Sequence, residues 1–165
     1  MNTIDRYKPI VGPSIIEDLK LLGHKLQGKR IQHINSTAVG GGVAEILNRM
    51  VPLLRELGVD TRWDVIKGGD DFFQVTKKFH NLLHGGSDGI TVDDFKAFLE
   101  TRQINAEEIA CDSDIVFVHD PQPVALVQNR KENKWIWRCH VDVSNPNPVV
   151  RSEEHTSELQ SPNTI

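Results

Sequence analysis

The sequence predicts an α/β domain with a mostly parallel, Rossmann-like sheet and helices on both of its faces. Two observations support this fold class. Short segments with the pattern of strands alternate along the chain with longer segments whose apolar residues recur at helical spacing. One of these strands, residues 115–118, is an uninterrupted apolar run, which is typical of a strand covered on both faces. Strands that alternate with helices favour right-handed βαβ units and a parallel sheet.

The elements are placed along the chain from their periodicity, capping residues and breakers. In order they are a helix over residues 14–27, a strand over 29–35, a turn over 36–42, a helix over 43–57, a strand over 61–66, a helix over 70–84, a helix that begins after Thr91, a strand over 115–118, a short helix and a strand over 135–143. No internal repeat or linker divides residues 1–150, so one domain is expected.

Individual residues indicate where several of these elements begin and which of their faces are buried. Ser14 and Glu17 have the spacing of a capping box at the start of the first helix, and Thr91 is a cap for the last long helix. Pro52 lies inside a helix and should kink it or cost it one backbone hydrogen bond. The apolar residues expected on the inward face of the last long helix are Val92, Phe95, Phe98 and Leu99. Trp135 and Trp137 alternate on one strand face and are expected in the core.

Composition narrows the class of protein. The chain has 165 residues and a formal net charge of −4, so no nucleic-acid or membrane partner is expected from electrostatics. No apolar run approaches the roughly 20 residues that span a bilayer, and the N-terminus lacks the pattern of a signal peptide. A cytoplasmic protein is therefore expected. Cys111 and Cys139 are too few and too far apart for a disulfide framework or a zinc site.

The last fifteen residues, 151–165, differ in character from the rest of the chain. They have no helical or strand period, and RSEEHTSELQS resembles the translation of a common sequencing adapter. Appended segments of this kind do not belong in fold reasoning. We therefore expect residues 151–165 to be a non-native, disordered tail, and the native C-terminal part of the protein to be missing.

Ligands bind parallel sheets outside the carboxyl ends of the strands. Three polar segments follow predicted strands and should meet at this edge: residues 35–42, 119–122 and 138–142. Their convergence predicts a binding site more strongly than any one of them does.

The three glycines at 40–42 have two interpretations. They allow a tight strand-to-helix turn, or they let backbone amides at a helix N-terminus approach a phosphate or sugar. The pattern is neither GxGxxG nor a P-loop, so neither a dinucleotide nor ATP is predicted.

His119 and His140 each lie near a carboxylate, Asp120 and Asp142 respectively. A single histidine at a strand end is more often structural than catalytic. Two of them at the expected ligand edge, with Arg138 nearby, favour chemistry. No metal site is expected, because no closely spaced set of His, Cys and carboxylate ligands is present.

Four longer motifs resemble one family. They are HINSTAVGGGVAEILNRMVPLLRELGVDTRWDVIKG, FFQVTKKFHNLLHG, VFVHDPQP and WIWRCHVDVSNPNP. All four resemble the N-terminal domain of trehalose synthases of the glycosyltransferring type, and the retaining trehalose phosphorylases are similar over the same stretch. The resemblance covers residues 7–150 and departs from the family pattern over 85–106.

The resemblance implies a GT-B glycosyltransferase, in which two Rossmann-like domains face each other across a cleft. Residues 1–150 would be the acceptor-side domain, and the missing C-terminal domain would bind the donor. The partners would be nucleoside diphosphate glucose and glucose, joined to α,α-trehalose with retention and without a metal or other cofactor. This truncated chain would then be inactive alone.

The resemblance also assigns roles to individual residues. His140 would contact the transferred sugar near the reacting centre, and Arg138, the second residue expected to be catalytic, would line the acceptor pocket. Gly41 and Gly42 would approach the donor phosphates. The remaining residues expected to bind substrate are Asn35, His119, Asp120, Gln122 and Asp142.

Other functions remain open at this stage. A trehalose phosphorylase of the same fold differs on the donor side, which this chain lacks. A stand-alone, non-catalytic sugar-binding module is a second alternative, and a nucleotide-dependent oxidoreductase is disfavoured because its glycine fingerprint is absent. The sequence does not decide the donor nucleotide or whether the full protein is a homo-oligomer.

Overall fold

A four-stranded parallel sheet organises the part of the chain that the computed structural model describes, residues 3–151. The strands are β1 (Arg30–Asn35), β2 (Asp60–Val65), β3 (Ile115–His119) and β4 (Lys134–Arg138). The helices are α1 (Lys8–Val11), α2 (Pro13–Lys25), α3 (Gly42–Glu56), α4 (Asp70–Leu83) and α5 (Val92–Glu108), with 3-10 turns at Ile4–Tyr7, Val124–Asn129 and Pro148–Arg151. The predicted Rossmann-like α/β class is confirmed. The expectation of a disordered tail falls, apart from Arg151, on residues outside the described part.

The strand order is β2-β1-β3-β4, and all three strand pairs are parallel. From β1 the chain passes through α3 to the neighbouring β2 and then returns through α4 and α5, past β1, to β3. Because such crossovers are right-handed, the two connections lie on opposite faces of the sheet. The boundary between β1 and β3 is therefore the point at which the winding direction reverses.

The main core lies between the sheet and the helices that follow β2. Ile34 and Val116 are fully buried and face Phe72 of α4 and Phe98 of α5, whose rings stack with centroids 5.8 Å apart. Trp135 and Trp137 pack against the same cluster, as predicted from their alternation. The apolar residues of α3 that are buried are Ala44, Leu47 and Val51.

The start of α2 differs from the prediction. The helix begins at Pro13, directly after Gly12 at φ 83°, and no side chain caps it. Ser14 is therefore already inside the first turn, and Glu17 instead pairs with Lys20 at 3.2 Å. The capping box at Ser14 was a wrong prediction, because proline at the first helical position starts the helix one residue earlier.

The cap at Thr91 is confirmed. Its hydroxyl accepts a hydrogen bond from the Asp94 backbone N–H at 3.1 Å, and the Asp94 carboxylate accepts one from the Thr91 N–H at 2.8 Å. This reciprocal pair satisfies two backbone donors that the helix itself leaves without partners.

We expect Thr91→Ala to lower the free energy of unfolding by about 1 kcal/mol, the typical contribution of an N-terminal cap. Ser14→Ala is the matched control, since Ser14 caps nothing and alanine is a better helix former. Urea unfolding of both variants measures the difference. Equal losses for the two variants would contradict the assignment of the cap.

Two details of packing also differ from the sequence-based expectation. On α5, Phe98 is buried as predicted, but Val92, Phe95 and Leu99 are 84%, 38% and 46% exposed. The last strand ends at Arg138, not at residue 143, because its only neighbour β3 ends at the paired His119. Residues 139–143 therefore form a loop that leaves the sheet at its carboxyl edge. Within residues 3–151, no helix has both the length and the apolar character needed to cross a membrane.

Candidate functional site

Three histidines form a hydrogen-bonded chain across the carboxyl edge of the sheet. His33 lies on β1, His119 ends β3, and His140 lies in the loop after β4. His33 Nδ1 is 3.0 Å from His119 Nε2, and His119 Nδ1 is 3.2 Å from His140 Nε2. The chain crosses the β1–β3 boundary, where doubly wound sheets bind their ligands.

The three rings differ in exposure. His33 and His119 are each only 3% exposed, whereas His140 is an exposed residue. His33 also stacks on Phe117 with ring centroids 5.1 Å apart. The chain thus runs from the interior of the domain to its surface.

Burial lowers the pKa of His33 to about 4. Burial, together with repulsion from His33 and His140 in their protonated forms and from Arg138, lowers the pKa of His119 to about 4. Both buried rings are therefore neutral near neutral pH, where each carries one N–H and one free acceptor nitrogen.

Asp120 holds the turn that joins the ends of β3 and β4. Its backbone N–H donates to the Arg138 carbonyl at 3.0 Å, and its carbonyl accepts from Trp137 Nε1–H at 3.1 Å. Its Oδ1 accepts from the His140 backbone N–H at 2.7 Å. Asp120 has φ 64° and is the one non-glycine residue with positive φ among residues 3–151. This backbone strain lies beside the histidine chain, as is common at functional sites.

The turn after β1 is held by Asn35 and by glycines. The Asn35 amide donates to the Thr37 carbonyl at 2.8 Å and accepts from Trp63 Nε1–H at 2.7 Å. Gly40 and Gly41 have φ 75° and 83°, so the backbone itself requires glycine at both positions. Gly42 is the first residue of α3. The need for a tight turn between β1 and α3 is enough to explain the glycines of this loop. That Asn35, Gly41 and Gly42 bind a ligand stays a prediction.

The other residues predicted for the site lie at different distances from the histidines. Arg138 is exposed, pairs with His119 in the strand register, and lies close enough to lower its pKa. The Asp142 carboxylate accepts two hydrogen bonds from Ser144 in the exposed loop. Gln122 lines a small cavity of about 10 Å³ with Phe72 and Asn105, on the α5 side of the sheet. The structure therefore brings together His119, Asp120, Arg138 and His140, but not Gln122 or Asp142.

Sequence reasoning missed His33, because a histidine inside a strand pattern carries no local signal of function. The signal lies in the sheet register. His33 pairs with Phe117 of β3, so its side chain lies on the same sheet face as that of His119, two residues further along.

The arrangement suits hydrogen bonding and charge stabilisation at a ligand more than metal chemistry. The described residues contain no group of three or more His, Cys, Asp or Glu side chains that could hold a metal ion. Cys111 and Cys139 are free, and burial raises the pKa of the Cys111 thiol to about 11. A histidine at the surface end of a buried chain, beside an arginine, can instead donate to a sugar hydroxyl or a developing negative charge.

A doubly wound α/β sheet with polar side chains at the boundary where its winding direction reverses, here between β1 and β3, defines a Rossmann-like ligand-binding domain. Residues 33–156 match the family model described as trehalose synthase, N-terminal domain. The chain belongs to this family.

Similar proteins agree with the family assignment. The chain is 46% identical over 147 residues to a trehalose synthase of Thermococcus litoralis and 43% identical over 152 residues to one of Rubrobacter xylanophilus. It is 28% identical over 160 residues to a trehalose phosphorylase of Grifola frondosa. Each match includes 87% of this chain but only 36% of either synthase and 22% of the phosphorylase. The chain thus spans about a third of the length of these synthases.

Proposed function

We propose that the full-length protein is a retaining glycosyltransferase that forms α,α-trehalose from a nucleoside diphosphate glucose and glucose, with this chain as its acceptor-side domain. The observation that carries the proposal is the family match over residues 33–156, which includes His33, His119 and His140. The higher identity to the synthases, 46% against 28% for the phosphorylase, favours the synthase reaction.

In the proposed reaction, the bond between the donor C1 and the phosphate oxygen breaks. A bond forms between that C1 and the anomeric oxygen of the acceptor glucose. The acceptor hydroxyl proton leaves with the nucleoside diphosphate or passes to solvent, so the products are trehalose and the nucleoside diphosphate. Attack from the side of the leaving group requires close positioning and stabilisation of the departing phosphate more than a strong protein base.

Within this scheme the surface end of the histidine chain meets the sugar. His140 would donate to the transferred glucose near C1, and Arg138 would hold substrate hydroxyls or an anion beside it. His119 and Asp120 would hold His140 in place through the contacts at 3.2 and 2.7 Å. Gly41 and Gly42, at the N-terminus of α3, would bring backbone amides towards the donor phosphates.

The donor itself would bind mainly to a C-terminal domain of the same polypeptide. The synthases, of which this chain spans 36%, have room for such a domain. Asn35 would complete the acceptor side. No nucleic acid, membrane or metal is part of the proposal.

The proposal is tested by comparing the full-length protein with the present chain. Full-length protein is expected to convert nucleoside diphosphate glucose and glucose into trehalose, measured by chromatography of the sugars with a panel of donor nucleotides. The present chain is expected to form none, and to bind glucose with a dissociation constant on the order of millimolar, because one wall of a cleft buries only part of a small polar ligand.

Two results would contradict the proposal. Full-length protein that makes no trehalose with any donor, but releases glucose 1-phosphate from trehalose and phosphate, would establish the phosphorylase reaction. Trehalose formation by the present chain alone would refute the assignment of the donor site to a second domain.

A further inference from the structure

The two hydrogen bonds of the histidine chain restrict which ring nitrogens can carry protons. Each neutral ring has one N–H, and each of the two contacts between rings needs one proton between its nitrogens. Three protons are therefore distributed over two contacts and one terminal nitrogen. The third proton lies either on Nε2 of His33 or on Nδ1 of His140.

The two terminal nitrogens are in different environments. His33 Nε2 is buried and has no hydrogen-bond partner. His140 belongs to an exposed residue, and its Nδ1 takes no part in the ring contact at 3.2 Å. A buried N–H without an acceptor loses the full hydration of a donor, and orphaned buried N–H groups are rare in proteins. A proton on His33 Nε2 is therefore the costlier arrangement.

We infer that His33 and His119 are positioning residues that fix the proton of the neutral His140 ring on Nδ1. In this arrangement His33 Nδ1–H donates to His119 Nε2, and His119 Nδ1–H donates to His140 Nε2. All three rings are then Nδ1–H tautomers, although a free neutral histidine prefers the Nε2–H form. The outer nitrogen of His140 is fixed as a donor and cannot act as a general base.

The packing around the chain supports a single arrangement of the rings. The His119 and His140 rings are tilted by only 22° with centroids 5.5 Å apart, so they lie nearly coplanar along their hydrogen bond, and His33 is stacked on Phe117. The His140 backbone is tied to the Asp120 carboxylate at 2.7 Å. A ring whose backbone and Nε2 are both held presents its Nδ1–H in one direction, which is what preorganised stabilisation of developing charge requires.

The catalytic use of this donor rests on the proposed function, but the tautomer does not, and it is measured without substrate. We expect long-range ¹H–¹⁵N correlation spectra of the present chain, labelled at histidine and recorded above the pKa of free histidine, to show a protonated Nδ1 and an unprotonated Nε2 for His33, His119 and His140. A protonated Nε2 on His140 would overturn the inference.

Variants of His33 separate a positioning role from a structural one. In His33→Asp an acceptor-only carboxylate replaces the Nδ1–H donor, so His119 is expected to donate to it from Nε2 and His140 to shift to the Nε2–H form. In His33→Asn the side-chain amide replaces the Nδ1–H donor, and the His140 tautomer should be retained. The control is His24→Phe, an exposed histidine of α2 outside the chain. An unchanged His140 tautomer in a folded His33→Asp variant would refute the role of His33.

The same variants in the full-length protein test the consequence for catalysis. His33→Asp is expected to lower kcat for trehalose formation about tenfold with little change in KM, the lower end of what partners that orient a histidine contribute. His33→Asn should restore most of that loss. An Nδ1–H tautomer in the spectra together with no trehalose formation by the unmodified full-length protein would contradict the proposed function and leave the tautomer assignment intact.

Discussion

Replacement of His140 by alanine in the full-length protein is expected to lower the turnover number for trehalose formation about a hundredfold, the effect typical of losing one preorganised hydrogen bond to a transition state. KM for glucose should change little, because the contact strengthens only as charge develops. Since His140 is exposed and outside the regular strands, the variant should fold. Steady-state kinetics with saturating donor measures both constants.

Two further variants define how specific the effect is. Arg138→Ala is expected to raise KM more than it lowers kcat, because an exposed guanidinium beside the site holds substrate in both the ground and transition states. His24→Ala should leave both constants unchanged. Turnover of His140→Ala equal to that of the unmodified protein would remove His140 from the mechanism.

The second large effect is a loss of stability in mild acid. The pKa of His33 and of His119 falls from 6.5 in the unfolded chain to about 4 in the folded domain. Between these values the unfolded state binds protons that the folded state does not, so the free energy of unfolding decreases as pH falls from 6.5 towards 4. For a ring that titrates independently the loss is about 3 kcal/mol, a large part of the roughly 5–15 kcal/mol typical of a domain.

Urea unfolding of the present chain across this pH range measures the loss. The carboxylates with lowered pKa, such as Asp94 at about 2, lose most of their contribution below their ordinary value of 3.8, so the upper part of the range reports the histidines. His33→Phe should reduce the slope of stability against pH, and His24→Phe should not. A flat stability profile between pH 6.5 and 4 would show that the buried rings do not resist protonation.

Most of the fold could be predicted because each helix and strand carries its own pattern of apolar residues. Apolar periodicity located all four strands and the three long helices that enclose the sheet. Apolar periodicity does not show which other element packs against a helix. Val92 and Leu99 were therefore expected inside but are exposed. The end of β4 could not be predicted from its own residues either. A strand at the edge of a sheet ends where its neighbour ends, and here that is the His119–Arg138 pair.

The site was predictable only in part, for a related reason. Residues directly after a strand, such as His119 and Asp120, are found by knowing where strands end. The contribution of His33 depends on which strand lies beside β1 and in which register, and no residue near His33 encodes that. Among the predicted residues, Gln122 follows β3 like the others, but it faces the α5 side of the sheet, a direction that the order of residues does not reveal.

The turn at Asp120 restricts which amino acids can occur at this position. With φ 64°, the backbone there strongly disfavours β-branched and bulky residues. Glycine would fit the backbone but would leave the His140 amide without its acceptor. Only aspartate and asparagine tolerate the left-handed conformation and also offer a short side-chain oxygen. A half-buried surface turn is therefore among the places in this domain where natural or engineered variation has the least freedom.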